Sequence, residues 1–87
     1  MPSKGTAIVT GASQGIGAAI ARQLGRDGYA VVVNDIAPKQ AGIDALVSEL
    51  KADGGQSLGF AADVSEEVEV QNMIARSVEE LGPLSVV

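Results

Sequence analysis

The chain has 87 residues, 46% of them hydrophobic, and a formal net charge of −5. That hydrophobic content excludes a disordered polar segment, although a chain this short buries only a thin core. The acidic balance, with no run of basic residues, argues against nucleic acid or an anionic membrane surface as partner. There is no cysteine and no histidine. Disulfides, thiolate chemistry, an imidazole base and the commonest metal ligand are therefore excluded, and no metal site is expected.

Met1-Pro2-Ser3-Lys4-Gly5 leads directly into the first apolar run and has no signal-like apolar region. No run is long enough to span a membrane, so a soluble cytoplasmic protein is expected. Thr6–Thr10 reads as a short strand buried on both faces. Gly11, Gly15 and Gly17 punctuate the loop that follows. A first helix is expected over Gly15–Asp27, with Ile16, Ile20 and Leu24 as its apolar stripe and Gly28 just past its end. Tyr29–Asn34, centred on Ala30-Val31-Val32-Val33, is a second buried strand, and Asp35 stands at its end.

Pro38 falls near the first turn of a second helix, whose core stripe is Ile43, Leu46, Val47 and Leu50. Gly54-Gly55 ends that helix. Ser57–Ala61 is a third, weaker strand with Leu58 and Phe60 on alternate positions. Asp63-Val64-Ser65 is a turn, with Ser65 as N-cap of a third helix and Glu66, Glu67 and Glu69 favouring its positive end. Val70, Ile74, Val78 and Leu81 mark the buried side of this helix. Gly82-Pro83 ends it, and Leu84–Val87 begins a fourth strand. The order βαβαβαβ, with short connections, implies one domain and a parallel sheet with right-handed crossovers. The expected architecture is a Rossmann-type α/β fold with strand order 3-2-1-4. The first two helices cover one face and the third covers the other.

Strand, glycine loop and helix start, in that order, present backbone N–H groups to an anion at a helix N-terminus. The spacing G-x-x-x-G-x-G differs from the usual G-x-G-x-x-G, but the mechanics are shared. One glycine makes the turn, one admits the phosphates, and one lets helix and strand pack closely. Glycines alone also serve plain βα turns. The strand before the loop, the helix after it and the acid at Asp35 together favour a dinucleotide.

Asp35 follows Gly17 at close to the roughly 20-residue offset of a ribose ligand. A carboxylate there accepts hydrogen bonds from ribose hydroxyls and repels a 2′-phosphate. Ile36 and Ala37 follow it, Gln14 in the loop is uncharged, and Lys39 is expected on the second helix. NAD is thus favoured over NADP. Spacing alone leaves Asp63 and Val64 between an adenine contact and ordinary capping. Arg22, Arg26 and Arg76 read as a solvated surface, and Tyr29 as packing.

At Thr10-Gly11-Ala12-Ser13-Gln14-Gly15-Ile16-Gly17 the chain resembles the short-chain dehydrogenase/reductase family, whose motif is T-G-x-x-x-G-x-G. The resemblance continues through Asn34-Asp35, Phe60-Ala61-Ala62-Asp63-Val64 and Leu81-Gly82-Pro83-Leu84. It implies that Gly11, Ser13, Gln14 and Ile16 line the pyrophosphate and its ribose. It further implies that Asp35 holds the adenosine ribose and that Asp63 and Val64 flank the adenine. The implied activity is hydride transfer between NAD and an alcohol or carbonyl substrate, in a homo-oligomeric enzyme. Val33-Asn34-Asp35 and the Gln-containing loop are similar to the acetoin/diacetyl reductase (butanediol dehydrogenase) branch.

The family's N-N-A-G motif, catalytic Ser and Y-x-x-x-K pair have no counterpart in these residues, so no catalytic residue is assigned. The chain resembles roughly the first third of such an enzyme. Its fourth strand would then be an exposed edge and part of the sheet would face water, an expectation of self-association. Two other functions also fit. One is a non-catalytic nucleotide-binding or interaction module, or an inert fragment. The other is a mononucleotide-binding flavodoxin-like fold.

Overall fold

A parallel strand covered on both faces needs apolar side chains at successive positions, and the two central runs supply them. The computed structural model describes residues 4–86. Its elements are β1 (Thr6–Val9), α1 (Gly15–Arg26), β2 (Ala30–Asp35), α2 (Gln40–Ala52), β3 (Ser57–Ala61), α3 (Glu67–Leu81) and β4 (Leu84–Val86). All four residues of β1 and the first five of β2 are buried. The sheet is parallel with order β3-β2-β1-β4. This is the Rossmann-like arrangement expected from the alternation of strands and helices.

Alternate side chains of the central strands feed two separate cores. Val9, Val31 and Val33 meet Ala18 and Ala21 of α1 and Ile43, Leu46 and Leu50 of α2. Ile8 and Val32 point the other way, to Met73 of α3, flanked by Leu58, Phe60, Ile74 and Leu81. Helices therefore cover both faces. Thr6 lies on the α3 side, where its hydroxyl donates to the Leu81 carbonyl at 3.1 Å and ties the start of β1 to the end of α3.

Both helices on the first face stop in the same way. Gly28 has φ +99° and Gly54 has φ +90°. In α1 the Gly28 and Tyr29 amides donate back to the Gly25 and Leu24 carbonyls. In α2 the Gly54 and Gly55 amides donate to Lys51 and Leu50. These are paired Schellman closures, which need a residue tolerant of positive φ just past the helix. They turn the chain straight into β2 and β3.

Several boundaries and faces differ from the sequence expectation. Thr10 is an exposed turn residue, β2 begins after Tyr29 and includes Asp35, and α1 ends at Arg26. Pro38 lies in a separate 3-10 turn, Ala37–Lys39, so Lys39 precedes α2 instead of riding on it. The α1 stripe is displaced. Ile16 is 81% exposed and Ile20 47%, while Ala18 and Ala21 are buried. Small residues face the sheet because α1 sits too close for isoleucines, and the isoleucines fall beside β1. There Ile16, Ile20 and Leu24 join Ile8 and Val9 in lining an apolar groove of about 350 Å³.

On α3 the buried positions are Met73 and Ser77, with Val78 43% exposed. Ile74 and Leu81 of the expected stripe pack against this core, but its fully buried positions lie one residue earlier, and Ser77 can be buried because its hydroxyl donates to the Met73 carbonyl at 2.6 Å. Ser65 is not an N-cap. It lies in the turn before Glu66, which precedes α3. The expectation for Val87 lies outside the described residues. Among those described, no helix is long and apolar enough to cross a membrane.

These packing differences set a stability test. Ile43 is fully buried, so Ile43→Ala should cost about 2–5 kcal/mol in urea unfolding. Ile16→Ala should stay within about 0.5 kcal/mol of wild type. Equal losses at the two sites would contradict the placement of the α1 face.

Candidate functional site

In a parallel sheet every strand delivers its carboxyl end to the same edge, so the loops after β1, β2 and β3 gather there. The expected site residues divide among these three strand exits. Gly11 (φ +62°) and Gly15 (φ +61°) adopt the left-handed conformation, and a side chain at either would meet open space. At these two positions the loop presents bare backbone and leaves its outer side open. Gly17 differs. A Cβ there would run into the Gly11 carbonyl oxygen and the Ala12 backbone. This glycine lets α1 start directly against the turn.

Gln14 precedes α1 in extended conformation, and no side chain caps the helix. The first-turn amides, those of Gly15, Ile16 and Gly17, lie at the positive end of the helix, where an anion is favoured. Gln14, Gly15 and Ile16 are exposed, whereas Ser13 and Gly17 are half-buried.

The loop is bound to the end of β2 by three hydrogen bonds. Ala12 N–H donates to the Asn34 carbonyl at 2.8 Å. The Ser13 hydroxyl donates to Oδ2 of Asp35 at 2.6 Å, and the Ser13 amide reaches the same oxygen at 3.3 Å. Oδ1 accepts from the Ile36 amide at 2.9 Å. Both carboxylate oxygens are therefore fixed, yet each keeps lone-pair capacity for a further donor. The Ser13 hydroxyl is the main cause holding the Asp35 carboxyl below its ordinary range. Partial burial opposes it, and the Ile36 and Ser13 amides and Lys39 assist.

Asn34 was not singled out from sequence as a functional residue. It is buried, and its amide nitrogen donates to the Phe60 carbonyl at 2.9 Å and the Ala62 carbonyl at 3.3 Å. Ala62 N–H in turn donates to the Asp35 carbonyl at 3.0 Å. The exit of β3 is thereby stitched to the exit of β2. The available signal was a polar residue closing a β-branched run, since a buried amide needs partners.

Beyond Ala62, Asp63 and Val64 are exposed. Oδ1 of Asp63 accepts from the Ser65 hydroxyl at 2.6 Å and its amide at 2.9 Å. These bonds, the hydroxyl first, hold the Asp63 carboxyl low. Ser65 thus shapes the Asp63 turn, while the Glu69 carboxylate accepts the Asp63 amide at 3.1 Å.

The arginines sit elsewhere. Arg22 bridges α1 to Glu49 of α2 at 2.6 Å, and Arg76 pairs with Glu80 along α3 at 3.0 Å. Arg22, Arg26 and Tyr29 line a cavity of about 400 Å³ near the carboxyl ends of α1 and α2, at the opposite edge of the sheet from Asp35. Helix C-termini carry partial negative charge, which disfavours an anion there. Among the described residues no cluster of three or more His, Cys, Asp or Glu could hold a metal.

The Asp35 clamp makes stability pH-dependent. A carboxyl lowered in the folded state stabilises the fold above its unfolded value of about 4. That contribution is lost as pH falls through the lower folded value. Ser13→Ala removes the main cause of the lowering, so the variant should be less stable than wild type at pH 7. In urea unfolding from pH 7 to pH 2 the gap should narrow below about pH 4. A gap independent of pH would contradict the assignment.

The fold agrees with comparisons to known proteins. Residues 5–87 match the short chain dehydrogenase family. The chain is 49% identical over 80 residues to an uncharacterised oxidoreductase of Methylorubrum extorquens, covering 92% of this chain and 32% of that protein. It is 44% identical over 81 residues to a 3-oxoacyl-acyl-carrier-protein reductase of Staphylococcus aureus, covering 93% of this chain and 32% of that one. Among solved structures, a dehydrogenase/reductase from Sinorhizobium meliloti superposes with a TM-score of 0.89 at 36% identity, over 97% of this chain and 33% of that one. A blue fluorescent protein from a metagenomic library, in complex with NADPH, superposes with a TM-score of 0.88 at 35% identity, over 94% and 34%. The chain spans about a third of the length of these relatives. Since the family match spans nearly the whole chain, the chain belongs to the short chain dehydrogenase family.

Proposed function

We propose that this chain holds the adenosine half of NAD, as the amino-terminal part of an oxidoreductase domain acting on alcohol or carbonyl substrates. The observation that carries this reading is the Asp35 carboxylate. It is fixed on both oxygens and joined by Ser13 to a loop whose glycines leave the outer side open. The amides of Gly15, Ile16 and Gly17 face the pyrophosphate, with Gly11, Ser13 and Gln14 lining the turn. Asp35 accepts from the ribose hydroxyls through the lone pairs that Ser13 and Ile36 leave free. Asp63 receives the adenine amino group, and Val64 packs against the ring.

The nicotinamide supplies the hydride chemistry when bound. No residue of this chain is assigned to that step, and the substrate is set by parts of the protein outside it. The relatives are named as oxidoreductases, dehydrogenase/reductases or reductases, and one structural neighbour holds NADPH. The preference for NAD here rests on Asp35 and on the uncharged Gln14. Lys39 is near enough to Asp35 to lower its pKa, but its contribution is the smallest of the causes. The Val33-Asn34-Asp35 strand end supports the acetoin/diacetyl reductase branch as the finer reading.

Calorimetric titration tests the cofactor. NAD should bind at least about tenfold tighter than NADP, a difference near 1.4 kcal/mol. Asp35→Ala removes the carboxylate that repels a 2′-phosphate and leaves the Lys39 charge unopposed nearby, so the ratio should narrow or invert. NADP binding as tight as NAD in the unmodified chain would contradict the reading. Gly17→Ala should abolish binding of both, because the added Cβ must displace the loop backbone; unchanged affinity would remove the loop from the site.

A further inference from the structure

Gly42 stands in the first turn of α2, and its backbone is not in the left-handed region. No turn geometry requires glycine there, and glycine weakens a helix relative to alanine. The reason lies in the neighbouring glycine loop. A Cβ at 42 would sit 3.0 Å from Ser13 Cβ, 3.1 Å from the Ser13 carbonyl oxygen and 3.6 Å from Ser13 Oγ. The three nearest atoms all belong to one residue of the glycine loop.

Contacts at 3.0–3.1 Å are relieved if the neighbour yields by a few tenths of an ångström. Ser13 is poorly able to yield, since its hydroxyl is held at 2.6 Å from Asp35 Oδ2 and its amide at 3.3 Å from the same atom. Gly25 in α1 is a useful contrast. A Cβ there would meet the Leu50 side-chain end at 3.2 Å, and that end can rotate away.

We propose that Gly42 is a positioning residue for the ribose acceptor: its bare backbone lets Ser13 stay clamped on Asp35, and a side chain at 42 would pull the loop off the carboxylate. α2 thereby gives up some helix propensity so that its first turn can seat the loop. The proposal rests on the cofactor reading above for what the carboxylate receives, but the clamp itself can be observed without nucleotide.

The test is carbon-detected NMR titration of the Asp35 carboxyl in the nucleotide-free full chain, paired with calorimetric binding of AMP. Gly42→Ala should raise the Asp35 midpoint toward that of a free aspartate. AMP binding should weaken about three- to tenfold, the range expected for loss or distortion of one hydrogen bond. Helix content should be no lower than wild type and the melt should stay cooperative, the loss of the clamp being offset in part by the gain in helix propensity. In a Ser13→Ala background, where the hydroxyl is already gone, Gly42→Ala should move the midpoint little. Gly25→Ala should move neither quantity.

An unchanged Asp35 midpoint in Gly42→Ala would overturn the proposal. So would loss of its cooperative melt, which would place the residue in the fold and not in the site. If the midpoint moves but the wild-type chain binds no AMP, the clamp stands and the ribose role falls together with the cofactor reading.

Discussion

The joint between the first loop and the end of the second strand is the constraint on which the site depends. Two central strands run side by side, and the chain must leave one, turn, and start a helix without losing contact with the other. It does so with one main-chain bond, Ala12 to Asn34, and one side-chain clamp, Ser13 to Asp35. The clamp sets three things together. It fixes the loop in space, it orients a carboxylate at the strand end, and its hydrogen bonds hold the pKa of that carboxyl below the ordinary range. Without it the glycine loop would have no carboxylate fixed beside it.

The rest of the fold serves that joint. The two-sided core holds β1 and β2 in register, so their carboxyl ends coincide. Alanines on α1 allow the helix to lie close over β1, which brings its amino-terminal turn against the loop. Asn34 extends the same stitching to the third strand by filling a buried position with an amide that bonds two carbonyls of the neighbouring strand exit. The order 3-2-1 thus becomes a continuous hydrogen-bonded edge from the glycine loop to the Asp63 turn. Closeness has a consequence on the other flank of α1. Ile16 and Ile20 are turned outward beside β1, leaving an apolar groove next to the loop.

The topology was legible in the sequence because each element carried its own signal: β-branched runs for buried strands, four-residue apolar spacing for helices, and glycines for their ends. The glycine loop and Asp35 were legible because their spacing is set by strand and helix geometry. The face of α1 was not. A hydrophobic stripe names the most apolar side, whereas close packing on a sheet selects the smallest one, and here Ala18 and Ala21 win over Ile16 and Ile20. The same limit applies to Ser77, whose burial depends on a hydroxyl bonding its own helix. Ser65 read as a cap because Ser before acids suggests one; instead its hydroxyl is taken by Asp63. Gly42 and Asn34 carry no motif. Their roles exist only once β2, α2 and the loop are in contact.

The central claim is that the edge formed by the loop after β1, Asp35 and the loop after β3 receives an adenine dinucleotide. Amide chemical-shift mapping with NAD tests it most directly. Saturable shifts are expected to concentrate at Gly11–Gly17, Asp35–Ile36 and Asp63–Val64. Shifts confined to the cavity at Arg22, Arg26 and Tyr29, or no saturable shift at millimolar NAD, would contradict it.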